Sequence, residues 1–143
     1  MLNPHDLHKY SLFGGLQDEQ IELIIPLMEQ ENYEAGSEII MEGTANDKVR
    51  FILEGSVAVE KRGLILTEFK KGDTFGEMEV LDIMPATASI KALNSVTVMS
   101  ISNKSLRQIY KNDIKAFAII IMNLARDVSR RLRALNERVI EIG

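Results

Sequence analysis

The chain has 143 residues, of which 45% are hydrophobic and 27% charged, the balance of one globular domain rather than of a disordered chain. No apolar run approaches the ~20 residues that cross a bilayer, and no signal peptide is recognisable, so neither a membrane span nor export is expected. Cysteine is absent, which excludes disulfides and thiol catalysis and agrees with a cytoplasmic location.

Charge is distributed unevenly along the chain. Residues 1–103 contain 8 Lys and Arg against 17 Asp and Glu, a balance of −9, whereas residues 104–143 contain 9 against 4, a balance of +5. The acidic part argues against a general nucleic-acid-binding surface. In the basic part, Asp127, Glu137 and Glu141 lie among the arginines, a mixture typical of a solvated, salt-bridged helix flank.

The first predicted element is a helix, because Ile21, Ile24 and Met28 repeat at helical spacing. Asp18 suits the positive end of the helix dipole, and Pro26 is expected to kink or shorten the helix near its end.

From about Glu31 the pattern changes to short β-type runs separated by turn residues. The predicted strands are Glu38–Met41, Val49–Leu53, Ser56–Glu60, Leu64–Phe69, Thr87–Ala92 and Val96–Ile101. Many short strands at close spacing favour an antiparallel sandwich or barrel over βαβ units.

After Ile101 the helical period returns, with a short helix capped by Ser102 or Asn103 and a long helix capped by Asn112 or Asp113. Apolar residues follow the long helix at spacings of three or four: Ile114, Phe117, Ile121, Leu124, Val128, Leu132, Leu135, Val139 and Ile142. About 30 residues of helix span roughly 45 Å, more than the core of so small a domain requires. We therefore expect a homodimer through residues 114–142, and two units, residues 1–112 and 113–143.

Four motifs occur in a characteristic order: the glycine pair Gly36 and Gly43, the hairpin Phe51–Val59, the segment Gly72–Met78 and the segment Pro85–Ile90. Together they resemble the cyclic nucleotide-binding domain family. The resemblance implies a mainly β fold with flanking α-helices, namely an antiparallel double-stranded β-helix, or jelly-roll-like β-roll. An N-terminal helix, a short helix and a long C-terminal dimerisation helix complete that fold.

The C-terminal segments Leu124–Arg126 and Arg131–Val139 are similar to the dimer helix of bacterial Crp/Fnr-type regulators. In those proteins a winged helix-turn-helix follows the dimer helix, whereas this sequence ends at Gly143, so direct DNA binding is not expected.

The same resemblance implies a phosphate-binding cassette. Its ligand-binding residues are Phe75, Gly76, Glu77, Met78, Ala86, Thr87, Ala88 and Ser89, together with Asn136 on the long helix. In the family the glutamate takes the ribose 2′-hydroxyl, and a serine can donate to phosphate. Each of three residues also has an alternative role. Glu77 could brace its turn, Ser89 could be a plain strand residue, and Asn136 could be a polar residue beside the helix seam.

One position departs from the family pattern, because Ala86 stands where the family has an arginine that pairs with the cyclic phosphate. Losing a charged hydrogen bond of this kind costs roughly 10- to 150-fold in affinity. Lys91 follows on the next strand, but strand alternation does not assure that it reaches the pocket. The sequence therefore predicts weak binding of cyclic AMP or cyclic GMP, or none.

Two functional hypotheses remain open. The first is a homodimeric sensor of a small ligand that relays a signal through its C-terminal helix to a regulatory protein partner. The second is a non-binding domain that serves as a dimerisation or protein-interaction platform. Enzymatic activity is not expected, because the only histidines are His5 and His8 and no P-loop is present. No metal site is expected either.

Overall fold

The computed structural model describes residues 2–142, with side chains described as far as Ile140. Outside the described part lie Met1 and Gly143, the first and last residues of the two predicted units. The side chain of Ile142, a residue of the predicted seam, is also outside it.

In the described part of the chain, eight strands form two four-stranded antiparallel sheets. They are β1 Glu29–Tyr33, β2 Glu38–Ile40, β3 Lys48–Glu54, β4 Ser56–Lys61, β5 Leu64–Lys70, β6 Thr74–Phe75, β7 Ser89–Ala92 and β8 Val96–Ser102. One sheet has the order β1-β8-β3-β6 and the other β2-β7-β4-β5. The predicted fold class, a mainly β roll with flanking helices, is confirmed.

Two strands were not predicted, β1 and β6. The β1 sequence Glu-Gln-Glu-Asn-Tyr has no alternation of apolar and polar residues, and it is a strand because its whole length pairs with β8. The β6 strand is only two residues long and is held against Arg50 and Phe51 of β3. At the other end of the cassette, the strand predicted from Thr87 begins two residues later, at Ser89.

Between residues 2 and 142, five helices and two 3₁₀ turns surround the sheets. The helices are α1 Pro4–Leu7, α2 Asp18–Ile24, α3 Glu77–Asp82, α4 Asn103–Asn112 and α5 Ile114–Ile142, and the 3₁₀ turns are Ser11–Phe13 and Ile25–Leu27. The second turn contains Pro26, so α2 is shortened there as expected. Ser102 caps α4 by accepting from the Ser105 N–H at 3.1 Å, and Asp113 caps α5 by accepting from the Ala116 N–H at 3.1 Å.

The apolar residues form two clusters on opposite faces of β3. Ile52 packs inside the roll with Phe75 and Val98. Phe51, the preceding residue, points the other way, toward the helices, and packs with Phe13 and other apolar residues there. This alternation places the helical layer on one face of the sheet and leaves the other face to line the roll interior.

The first half of α5 packs on the body, where Ala116, Ile120 and Leu124 are buried. At the start of the predicted seam, Ile114 is more than half exposed, and the buried contacts with the body use Ala116 and Ile120. The seam itself stays a prediction. In the second half of α5, Leu132, Leu135, Val139 and Ile140 are all more than half exposed.

Asn123 fixes the middle of α5 to the N-terminal segment. Its buried side-chain amide donates to the Leu12 carbonyl at 3.0 Å and to the Gly14 carbonyl at 2.9 Å. The Ser11 hydroxyl donates to Asp127 one turn further along, at 2.8 Å. These bonds set the direction in which the exposed half of α5 leaves the body.

None of the helices described within residues 2–142 is long and apolar enough to cross a membrane.

Replacing Asn123 by alanine should lower the free energy of unfolding by about 1–3 kcal/mol, because two carbonyls would lose their buried donor. Urea denaturation followed by circular dichroism measures this loss. Ser129→Ala, on the exposed face of the same helix, should change stability by less than about 0.5 kcal/mol. Equal effects of the two substitutions would contradict the anchoring role of Asn123.

Candidate ligand-binding site

The predicted cassette begins at a tight turn. Gly76 adopts a left-handed φ of 82° at the N-cap of α3. A Cβ at this position would lie 2.8 Å from the Lys48 carbonyl oxygen and 2.9 Å from Asn46 Nδ2, so both the conformation and the space require glycine. The turn places Glu77 at the first position of α3, with its side chain directed into the protein.

Glu77 is only 3% exposed, and its carboxylate is paired with an arginine from α5. Arg131 donates through Nη1 to Glu77 Oε1 and through Nη2 to the Thr74 carbonyl oxygen. Its guanidinium also lies over the Phe69 ring, 4.4 Å from the centroid. Burial raises the pKa of Glu77, and the positive charge of Arg131 partly offsets that rise.

Arg131 was therefore missed as a site residue by the sequence analysis, and its interpretation as part of a solvated flank was wrong. The neighbouring Arg130 does fit that interpretation, because its Nη1 lies 2.9 Å from the Asp127 carboxylate and its side chain is largely exposed. The two adjacent arginines have the same sequence signal, and only the fold, which brings residue 131 to a strand end 57 residues earlier, separates them.

The second half of the cassette is held by backbone contacts. The Ala86 N–H donates to the Thr44 carbonyl at 2.9 Å, and the Ala86 carbonyl accepts from the Gly43 N–H at 2.7 Å. Its methyl group is buried in the roll interior beside Phe75 and Ile90. The position where the resemblance expects a cation is therefore occupied by an apolar side chain.

The remaining predicted residues take different positions. Ser89, the first residue of β7, has an Oγ that accepts from the Glu42 N–H at 2.9 Å, a bracing contact that was not predicted for it. Met78 and Thr87 are exposed and Ala88 is partly buried. Asn136 is exposed on α5, five residues beyond Arg131 and so on a different side of the helix.

Lys91 does not replace the missing arginine. Its neighbours Ile90 and Ala92 point into the roll, so Lys91 points outward and lies 3.4 Å from the Glu60 carboxylate. The cation that contacts the predicted cassette is instead Arg131, which comes from α5.

A family model for the cyclic nucleotide-binding domain matches residues 30–113. The cAMP-dependent protein kinase regulatory subunit of Debaryomyces hansenii is 29% identical over 104 residues, which is 72% of this chain and 23% of the relative. The CRP-like cAMP-activated global transcriptional regulator of Mycobacterium tuberculosis is 24% identical over 141 residues, which is 95% of this chain and 61% of the relative. The chain thus spans less than two thirds of each of these curated relatives.

Among solved structures, a cyclic nucleotide-binding domain from Methylobacillus flagellatus superposes with a TM-score of 0.87 at 24% identity. The superposition covers 97% of this chain and 81% of that one, so the two have the same fold.

Replacing Arg131 by glutamine should destabilise the protein by about 1–3 kcal/mol, because Glu77 would remain buried without its countercharge. The loss should stay below that of a fully buried pair, since the Arg131 side chain is 34% exposed. Chemical denaturation measures it, and Arg130→Gln is the matched control, with an expected change below about 0.5 kcal/mol. A loss of the same size in both variants would contradict a specific role for Arg131.

Proposed function

The chain belongs to the cyclic nucleotide-binding domain family, and we propose that it is a non-enzymatic, cytoplasmic regulatory module that senses a small ligand as a homodimer. The observation that carries this proposal is the pairing of Glu77, in the predicted ligand cassette, with Arg131 of α5. A change at the cassette carboxylate therefore acts directly on the helix that leaves the body. The signal passes along α5 to a regulatory protein partner.

The ligand of the proposal is cyclic AMP or cyclic GMP, bound weakly. A carboxylate has two oxygens and about four lone-pair sites, so Glu77 can accept from a ligand hydroxyl while Arg131 remains bound. Two of the relatives are a cAMP-dependent protein kinase regulatory subunit and a cAMP-activated transcriptional regulator, which supports this ligand class. Ala86 limits the affinity, because no guanidinium stands there to pair with the phosphate.

The homodimer of the proposal is built on the second half of α5. Leu132, Leu135 and Val139 lie at spacings of three and four and are more than half exposed, a pattern that suits pairing with a second copy of the helix. Apolar burial of this kind is favourable by roughly 25 cal/mol per Å², so a symmetric helix pair would cover the surface at a gain in free energy.

A second candidate function is that of an interaction platform without ligand. Two observations favour it: the apolar side chain of Ala86 at the expected phosphate contact, and the Ser89 hydroxyl that already braces the Glu42 backbone. In this alternative the Glu77–Arg131 ion pair has only a structural role, which is to hold α5 in the orientation needed for dimerisation.

Isothermal titration calorimetry with cyclic AMP and cyclic GMP distinguishes the two functions. The native chain should bind at least one nucleotide, and Ala86→Arg should strengthen that binding by about 10- to 150-fold by restoring the phosphate contact. Glu77→Gln should weaken it, because the amide accepts a hydroxyl less well than a carboxylate does. Circular dichroism establishes that each variant is folded.

If neither the native chain nor a folded Ala86→Arg variant gives heat above that of buffer dilution, the ligand-sensor function is rejected. The interaction platform without ligand is then the remaining function. Binding by Ala86→Arg alone would mean that the native pocket is intact but has lost these two ligands.

The oligomeric state is tested by sedimentation equilibrium. The native chain should sediment as a dimer, and Leu135→Glu should shift it toward the monomer, because a charge would enter the apolar seam. Arg133→Glu, an exposed neighbour off the seam, should leave the mass at that of the dimer. A monomeric native chain at all concentrations would reject the homodimer.

A further inference from the structure

A pocket of about 280 Å³ opens beside the cassette, between β2 and the loop that leads to β3. Ile40, Thr44, Asn46, Lys48 and Arg50 are among the residues that line it. None of the ligand-binding residues predicted from the sequence belongs to this lining, so the pocket is separate from the site around Glu77.

Arg50 is the unusual residue of this pocket. It is only 7% exposed, although it is a charged side chain on the inward face of β3, where Ile52 is a neighbour on the same face. Arg50 Nε donates to Glu31 Oε1 at 2.8 Å, and Nη1 donates to Asn46 Oδ1 at 3.0 Å. A guanidinium has five N–H donors, and the hydrogen bonds to Glu31 and Asn46 use two of them.

A guanidinium fork suits the two oxygens of a carboxylate or phosphate group. The pocket also provides a second cation, because Lys48 lies two residues before Arg50 on the same strand face, with Nζ 3.1 Å from Glu31. The volume exceeds that of one water molecule several times over, so a small oxyanion fits beside both cations.

Three carboxylates lie near these cations and oppose an anion. Burial alone would raise the pKa of Glu31, but hydrogen bonds from Arg50, Lys48 and Tyr33 lower it, so Glu31 is ionised and cancels one positive charge. Glu38 and Asp47 also line the pocket, but both are exposed. Their charges, like the −9 balance of residues 1–103, are screened by salt over about 8 Å, whereas a ligand at the buried guanidinium contacts it directly.

We propose that this pocket binds a small oxyanion through Arg50 and Lys48 and acts as an effector site for the cassette.

Asn46 provides the connection to the cassette. Its Oδ1 accepts from Arg50, and its Nδ2 lies 3.1 Å from the Gly76 carbonyl and 3.3 Å from Glu79 Oε1. Gly76 lies close against Asn46, because a Cβ added to this glycine would be 2.9 Å from Nδ2. An anion that draws the Arg50 guanidinium into the pocket therefore shifts the amide that holds the cassette turn. The effector role rests on the proposed function, but binding of the anion does not.

The test is a nuclear magnetic resonance titration of the native chain, without cyclic nucleotide, using inorganic phosphate and citrate as probes. Sodium chloride at matched ionic strength is the blank. The amide signals of Ala45 to Lys48 should shift and saturate, and those of Gly76 and Glu79 should shift with the same midpoint. The amide of Gly63, on a distant hairpin, should not respond.

Lys48→Gln should weaken the binding of the probe by about 10-fold or more, because it removes one charged contact. Lys91→Gln is the matched control: each lysine pairs with one glutamate, the two side chains are 30% and 37% exposed, and Lys91 lies outside the pocket. Arg50→Lys keeps the charge but loses the fork, and should weaken binding as well.

Two results would overturn the site, since binding would then be non-specific. One is that sodium chloride shifts the amide signals as much as the probes do. The other is that Lys48→Gln and Lys91→Gln weaken binding of the probe equally. Saturation at Ala45 to Lys48 with no response at Gly76 and Glu79 would overturn the effector role. Failure of cyclic nucleotides to bind would reject the sensor function without affecting either readout.

Discussion

A single buried carboxylate, that of Glu77, determines how the two parts of this protein are connected. Removing a charge from water is expensive, and an unpaired carboxylate in this position would favour its protonated form. Arg131 supplies the compensating charge, and it does so from α5 rather than from the sheets that surround Glu77. Because the guanidinium also bonds the Thr74 carbonyl and lies over Phe69, the contact is directional, and α5 is held in one orientation relative to the cassette.

The placement of the cations differs from what the resemblance implies. The roll interior around Ala86 is apolar, Lys91 points away, and Arg131 contacts the cassette from outside the roll. Arg50, which lies on the inward face of β3, is linked to the Gly76 turn through the Asn46 side chain. Two arginines are thus connected to the cassette: Arg131 of α5 contacts it directly, and Arg50 is linked to it through Asn46.

The fold can be predicted from the sequence because most strands carry a local signal. Val57 and Val59 alternate with polar or small residues, and glycines mark the turns, so these strands are recognisable without tertiary information. The β1 strand has no such signal and depends on pairing with β8. The site was predicted only where it is local. Gly76 and Glu77 belong to a short motif, whereas Arg131 reaches Glu77 across 54 residues of sequence, and nothing in its neighbourhood distinguishes it from Arg130.

Two of the polar contacts that attach α5 to the body, at Asn123 and at Arg131, allow the helix to act as a lever. Asn123 is the pivot, and Arg131 lies eight residues further along, which is about 12 Å at a rise of 1.5 Å per residue. Val139 lies another eight residues beyond, so the arm from the pivot to the exposed end is about twice as long as the arm to the cassette contact. A displacement of Arg131 by about 1 Å therefore moves Val139 by about 2 Å if the helix stays rigid. The geometry doubles a small motion at the cassette before it reaches the surface that a second chain can contact.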